Sequence, residues 1–218
     1  MSTSAQNKDL LYANSGVAIQ VGTTGPVFSP GFALGVDWQR LLTSRICLST
    51  GVEHYTFRPN QASLDKNISE VAYGSVTDMS GIKGRYIMCN TLYSGIKVIA
   101  YNNPENGSGL DFPIRVGMTH VFNTGYSFLK ISDGWGAIYP DNEGIQEAKS
   151  SKLAFYKSIG FCERIHIYKR WKMTLEGSFS HFLIRTNIFY SNRGYKFKEL
   201  SPVHYSIIQF KAGIGCLF

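Results

Sequence analysis

Apolar and polar residues alternate with a period of two along much of this chain, most clearly over its last eleven residues. There Ile208, Phe210, Ala212, Ile214, Cys216 and Phe218 share one face, and Gln209, Lys211, Gly213 and Gly215 share the other. Successive side chains of an extended strand point to opposite faces, so the spacing predicts a strand with one apolar and one polar or glycine face. The pattern recurs upstream. Val17, Ile19 and Val21 oppose Gly16, Ala18 and Gln20; Phe32, Leu34, Val36 and Trp38 oppose Ala33, Gly35, Asp37 and Gln39. Ile46, Leu48, Thr50 and Val52 oppose Cys47, Ser49, Gly51 and Glu53. Further on, Phe112, Ile114, Val116 and Met118 oppose Arg115, Gly117 and Thr119, and Phe155, Ile159 and Phe161 oppose Tyr156, Ser158, Cys162 and Arg164. Met173, Leu175 and Phe179 oppose Thr174, Glu176, Ser178 and Ser180, and a less regular stretch from Tyr126 to about Tyr139 completes a count of eight strands.

Strands with a continuous apolar face, a small or polar second face and an aromatic final residue predict an all-β fold. The expected form is an eight-stranded antiparallel up-and-down transmembrane β-barrel with long external loops. Short turns near Thr43, Thr124 and Lys169 alternate with longer connections near Thr24, Asn142 and Asn192. That asymmetry is the one expected between the periplasmic and external ends of such a barrel. Residues 1–14 read as a polar tail or linker, and residues 15–218 as the barrel domain. Within it, residues 58–110 read as a long loop insertion, because turn-rich pieces there surround an apolar island. Tyr86, Ile87, Tyr93, Ile96 and Tyr101 on that island are the candidate surface for a protein partner, and removing residues 84–101 is expected to spare the barrel.

Composition supports this picture. Tyr 13, Phe 14 and Gly 22 against 17% charged residues favour strands and turns. Mean hydropathy is near zero, and no run of about 18 apolar residues offers a spanning helix. The start, Met1-Ser-Thr-Ser-Ala-Gln-Asn-Lys, lacks a charged-then-apolar signal segment and is expected to be a trimmed or mature start. Alternation alone also allows a soluble ligand-binding barrel with its apolar face inward. The terminal Phe218, the connection asymmetry and the glycine-bearing second face favour the membrane form.

Three segments carry a family resemblance. Pro30-Gly-Phe-Ala-Leu-Gly-Val-Asp-Trp-Gln-Arg with Ser44-Arg-Ile-Cys-Leu-Ser-Thr-Gly-Val-Glu forms a strand, turn, strand unit. Asp111-Phe-Pro-Ile-Arg-Val-Gly-Met forms another strand, and Tyr156-Lys-Ser-Ile-Gly-Phe leads through Trp171-Lys-Met-Thr-Leu-Glu-Gly-Ser-Phe-Ser. Together they resemble the small outer-membrane β-barrel proteins of Gram-negative Bacteroidota, porin-like and OmpA-like eight-stranded barrels. The resemblance implies the fold and a place in the cell outer membrane, and supplies no shared catalytic motif.

The polar face collects Asp37, Glu53, Arg115, Arg164, Glu176 and Lys211. Charges inside a narrow barrel must be paired or hydrated, so these six are expected to form a structural salt-bridge plug, with an ion path or ligand site as the rival. Phe210, Ile214 and Phe218 make the last strand a candidate assembly signal, to be read by the barrel assembly machinery during insertion. The histidines at 54, 120, 166, 181 and 204 are scattered, and none lies in a nucleophile motif such as GxSxG. The four cysteines show no metal-ligand spacing and read as unpaired small hydrophobes, with Cys47 and Cys162 inward, Cys216 outward and Cys89 in the loop. No cofactor is expected. The net charge of +7 is dispersed, and its turn-proximal part suits outer-membrane lipid or lipopolysaccharide better than nucleic acid. The function expected is therefore a non-enzymatic membrane anchor or partner-binding platform, possible as part of a larger assembly. The rivals are the terminal barrel of a periplasm-spanning sensor, a small pore and a lipid-modifying hydrolase.

Overall fold

The computed structural model describes residues 9–21, 28–60, 76–78, 86–103, 105, 107–124, 126–130, 143–147, 150–192 and 195–218. Eleven strands occur among them: β1 (Asp9–Val21), β2 (Phe28–Leu41), β3 (Ile46–Pro59), β4 (Val76–Asp78), β5 (Ile87–Asn102), β6 (Gly109–Asn123), β7 (Tyr126–Lys130), β8 (Glu143–Glu147), β9 (Ser150–Tyr168), β10 (Trp171–Asn192) and β11 (Tyr195–Leu217). Eight of them form a ring in the order β1-β2-β3-β5-β6-β9-β10-β11, and β11 pairs back onto β1 from Leu10↔Leu217 to Val21↔Ser206. Every pairing is antiparallel, so the protein is a closed eight-stranded antiparallel β-barrel. Closure leaves no unpaired strand edge inside a bilayer, where an unsatisfied backbone group costs several kcal/mol.

Three connections at one end are short. Between β2 and β3, Thr43 Oγ1 accepts hydrogen bonds from the N–H groups of Arg45 and Ile46, at 3.2 and 3.0 Å, and fixes the turn. The β9–β10 turn places Lys169 at φ 46°, and the β5–β6 turn places Gly107 at φ 70°. The start of β1 and the end of β11 lie at this same end, and the β1–β2, β3–β5, β6–β9 and β10–β11 connections lie at the other. By the rule for such barrels, the first end is periplasmic and the second external.

Four sequence readings need correction. Residues 58–110 are not a loop insertion. They contain β5, a full barrel strand paired with β3 from Ile46↔Val98 to Phe57↔Ile87 and with β6 from Ile87↔Asn123 to Asn102↔Gly109. The strand escapes a period-two reading because both of its faces are mixed: Ile87, Cys89 and Tyr93 point inward with Thr91 and Lys97, while Asn90 and Ser94 point outward with Leu92, Ile96 and Val98. The stretch from Tyr126 is not a barrel strand. Its described part, β7, pairs only β4 and β8, and residues 131–139 lie outside the described residues. One strand missed and one miscounted leave the total at eight but reverse β6, which ascends toward Thr124 at the external end. Last, residues 9–14 belong to β1 rather than to a tail, since they pair both β2 and β11.

β10 and β11 are the longest strands and stay paired up to Asn192↔Tyr195. Beside the upper part of β10, β8 pairs Glu147 with Ile188 and Gly144 with Ser191, β7 pairs β8, and β4 pairs β7. The hairpin is thereby widened into an antiparallel shelf at the external end.

Candidate functional site

The barrel encloses eight buried charged side chains among the described residues: Asp37, Glu53, Asp111 and Glu176 against Lys97, Arg115, Arg164 and Lys211. Four negative and four positive groups cancel, as burial requires. They stack along the axis. Nearest the periplasmic end, Arg164 Nε lies 2.7 Å from Asp111 Oδ2, and Arg164 Nη2 donates to Asn102 Oδ1 at 3.3 Å. In the next layer, Asp37 accepts from Lys97 Nζ (2.8 Å), Ser49 Oγ (2.6 Å) and Gln39 Nε2 (2.5 Å). At the centre, Arg115 holds Glu176 with two parallel hydrogen bonds of 2.5 and 2.6 Å, and its guanidinium lies 4.9 Å from the centroid of the Tyr93 ring. Lys211 bridges Glu176, at 3.0 Å, to Glu53, which also accepts from Tyr55 Oη.

All six charged residues singled out in the sequence are buried in ion pairs, Asp37, Glu53, Arg115, Glu176 and Lys211 in one connected network and Arg164 in a separate pair, and two partners were not foreseen. Lys97 lies on the unread strand. Asp111 was legible, since it is four residues before Arg115 and so shares its face of β6. The space left between Tyr12, Asp37, Lys97, Glu176 and Lys211 is about 10 Å³, the room of one water at most. Below it a vestibule of about 340 Å³, lined by Gln39, Cys47, Asp111 and Arg164 among others, opens at the periplasmic end. Above the network the interior turns apolar. Phe57, Ile87, Cys89, Val121, Phe182, Ile184, Tyr205 and Ile207 fill it, with the Phe182 and Tyr205 rings stacked at 5.0 Å.

The outer wall shows the opposite order. Toward the periplasmic end it exposes Val17, Leu34, Val36, Val52, Leu92, Ile114, Val116, Ile159, Phe179, Phe210 and Ile214. Trp38, Tyr101, Tyr168, Trp171 and Phe218 ring its lower margin. Farther up, the outward positions become His54, Thr56, Asn90, His120, Ser151, Lys157, His181, His204 and Ser206. On β3 the change falls between Val52 and His54, and on β11 between Ile208 and Ser206. Inward residues switch at the same height, from Glu53 to Tyr55 and Phe57, and from Gln209 to Ile207 and Tyr205. Below this collar β3 and β11 are apolar outside and polar inside, and above it polar outside and apolar inside; β9 and β10 keep apolar residues outside beyond Lys157 and His181, with Phe155, Leu153 and Leu183 exposed. Eleven residues of a strand tilted about 40° cover about 28 Å along the axis, close to the apolar band of about 25 Å that a bilayer requires. Exposed apolar surface of this extent does not persist in water, and no helix among the described residues is long and apolar enough to span. The chain is a transmembrane β-barrel of the outer-membrane type.

The remaining candidate residues take places in this frame. Phe210, Ile214 and Phe218 are exposed on the lipid face. Of the expected partner surface, Ile87 and Tyr93 are buried in the lumen, Ile96 is in the lipid-facing wall and Tyr101 is in the lower aromatic ring. Tyr86 stands before β5, its N–H donating to Thr124 Oγ1 at 3.0 Å. These five do not form a common surface. Cys47, Cys89 and Cys162 are buried free thiols, so Cys89 is lumenal rather than in a loop, and Cys216 is half-buried. Among the described residues no group of three or more His, Cys, Asp or Glu could hold a metal.

No protein-family model matches the sequence, and no curated protein is similar to it. Solved structures with a similar architecture include a major outer membrane protein from Thermus thermophilus, at 10% identity and a TM-score of 0.47, covering 96% of this chain and 99% of that one. Neisserial surface protein A matches at 6% identity and 0.45, covering 96% and 97%. The outer membrane protease of Escherichia coli matches at 9% and 0.47, covering 100% and 99%. At such identities and scores no residue role or activity passes from these proteins to this chain.

Proposed function

We propose that the protein is a non-enzymatic outer-membrane anchor whose closed barrel carries an external β-shelf as a binding platform for another protein. The observation that supports this most is the reach of β10 and β11. They remain paired for about ten residues beyond the collar, about 30 Å at strand rise, and β8, β7 and β4 widen them there. A barrel serving only as a pore or filler gains nothing from such an extension. The lumen favours the same reading, because a neutral, cross-braced network fills it and conduction would require separating buried ion pairs. Phe210, Ile214 and Phe218 on the closing strand serve as the surface through which the assembly machinery recognises the chain.

Two measurements test the proposal. In planar bilayers the barrel is expected to give no stable large conductance, and reproducible open-pore currents would overturn the closed-barrel part. A photo-crosslinking residue at Gln146 on β8 is expected to capture a specific protein on intact cells, and the same residue on the outward face of β6 is not. Equal labelling from both positions would remove the platform.

A further inference from the structure

Most polar side chains of the collar satisfy one another. His54 Nδ1 lies 2.8 Å from Asn90 Oδ1 and its Nε2 lies 2.9 Å from Thr56 Oγ1, while His120 Nε2 lies 2.6 Å from Ser151 Oγ. The wall of β9, β10 and β11 differs. Lys157 stands across from His181, His181 across from Ser206, and His204 two residue pairs higher across from Leu183. Ser206 Oγ, 3.1 Å from His181 Nδ1, engages one ring nitrogen of that histidine and leaves Nε2 for another partner. The His181 and His204 rings lie 5.6 Å apart. Lys157 and His204 are exposed, and Lys157 has no hydrogen-bond or ion-pair partner among the described residues.

Three basic groups therefore converge on one outward patch, and the charged or titratable groups facing His181 are Lys157 on β9 and His204 on β11. Ile159 and Phe179 directly beneath them and Phe210 one step lower are exposed at 58%, 44% and 54%, and above Lys157 the outer face of β9 stays apolar at Phe155 and Leu153. A cation set in an apolar wall demands a counter-charge or water. Its match is a molecule with an anionic head at the collar and apolar tails on the wall below. Phosphate fits the head, because it accepts several charge-assisted hydrogen bonds at once from an ammonium and neighbouring imidazoles.

We propose that Lys157, His181 and His204 bind the phosphate of a lipid headgroup in the external leaflet, whose acyl chains lie on Ile159, Phe179 and Phe210. The site depends on the outer wall facing a bilayer but not on the platform reading, so either can fail alone.

The test uses the full chain in phosphatidylcholine nanodiscs doped with diphosphoryl lipid A or with its dephosphorylated form. Lipid carried through mild detergent extraction is then counted by native mass spectrometry. The wild type is expected to retain the diphosphoryl form about tenfold over the other. The triple variant Lys157→Gln/His181→Gln/His204→Gln should lose that preference, while His54→Gln/His120→Gln keeps it. Heat-modifiable migration checks folding, and the altered side chains point away from the core. Equal retention by the triple variant would overturn the proposal. So would displacement of the lipid by millimolar inorganic phosphate, which would mark a site for phosphate alone.

Discussion

Glu176 occupies the junction of the lumenal network, taking both arms of Arg115 and the ammonium of Lys211. Glu176→Gln keeps the shape and removes the charge, leaving two buried cations short of one carboxylate. Breaking a buried pair in this way costs about 3–5 kcal/mol, so the denaturation midpoint of the detergent-solubilised barrel should fall markedly. Arg115→Met/Glu176→Leu removes both charges and should recover much of the loss, whereas a double variant no better than the single would mean that the pairing is not what matters. Glycine makes a second claim at this scale. Gly215 faces Tyr12 across the β1–β11 ladder, and a Cβ there would run into the ring. Gly215→Val should cost about 1–3 kcal/mol through overpacking, and Tyr12→Ala in the same chain should relieve it. A Gly215→Val barrel of unchanged stability would show that Tyr12 swings aside freely.

Strands were legible where one face was uniform and illegible where neither was. β2, β6 and β11 keep an unbroken apolar outer face through the bilayer and β3 breaks its own only at Thr50, so their phase and their inward charges followed from spacing alone. β5 hides because it packs Ile87, Cys89 and Tyr93 into the lumen and spends two outward positions on Asn90 and Ser94. Tyr126–Lys130 misled because a short run with β-forming residues states nothing about its partner, and this one joins the shelf. Lys97 was lost with β5, whereas Asp111 needed only the phase of Arg115 to be carried back two repeats of the pleat. Deletions separate the two segments. Removing residues 87–102 takes out a ring strand and should abolish heat-modifiable folding, contrary to the expectation from sequence for residues 84–101. Removing residues 126–147 takes out β7 and β8 and should leave the ring intact. Survival of the first deletion, or collapse with the second, would mean that the ring is drawn wrongly.

At the scale of the whole molecule, one chain is built for two solvents. Below the collar it is a membrane barrel; above it, β3 and β11 exchange faces, β9 and β10 keep Leu153, Phe155 and Leu183 outside, and a shelf stands alongside. The exchange needs no break in the strands, because moving apolar residues from odd to even positions suffices to turn the wall inside out. The collar is therefore the boundary of the external leaflet, and its height can be measured. In a cysteine-free background reconstituted into bilayers, nitroxide labels at Phe210, Ile208, Ser206 and His204 would be compared for collision with oxygen and with a water-soluble nickel chelate. Oxygen should dominate at Phe210 and Ile208, the two should cross near Ser206, and the chelate should dominate at His204. Oxygen-dominated collisions continuing through His204, or chelate access already at Phe210, would contradict this placement of the barrel in the membrane.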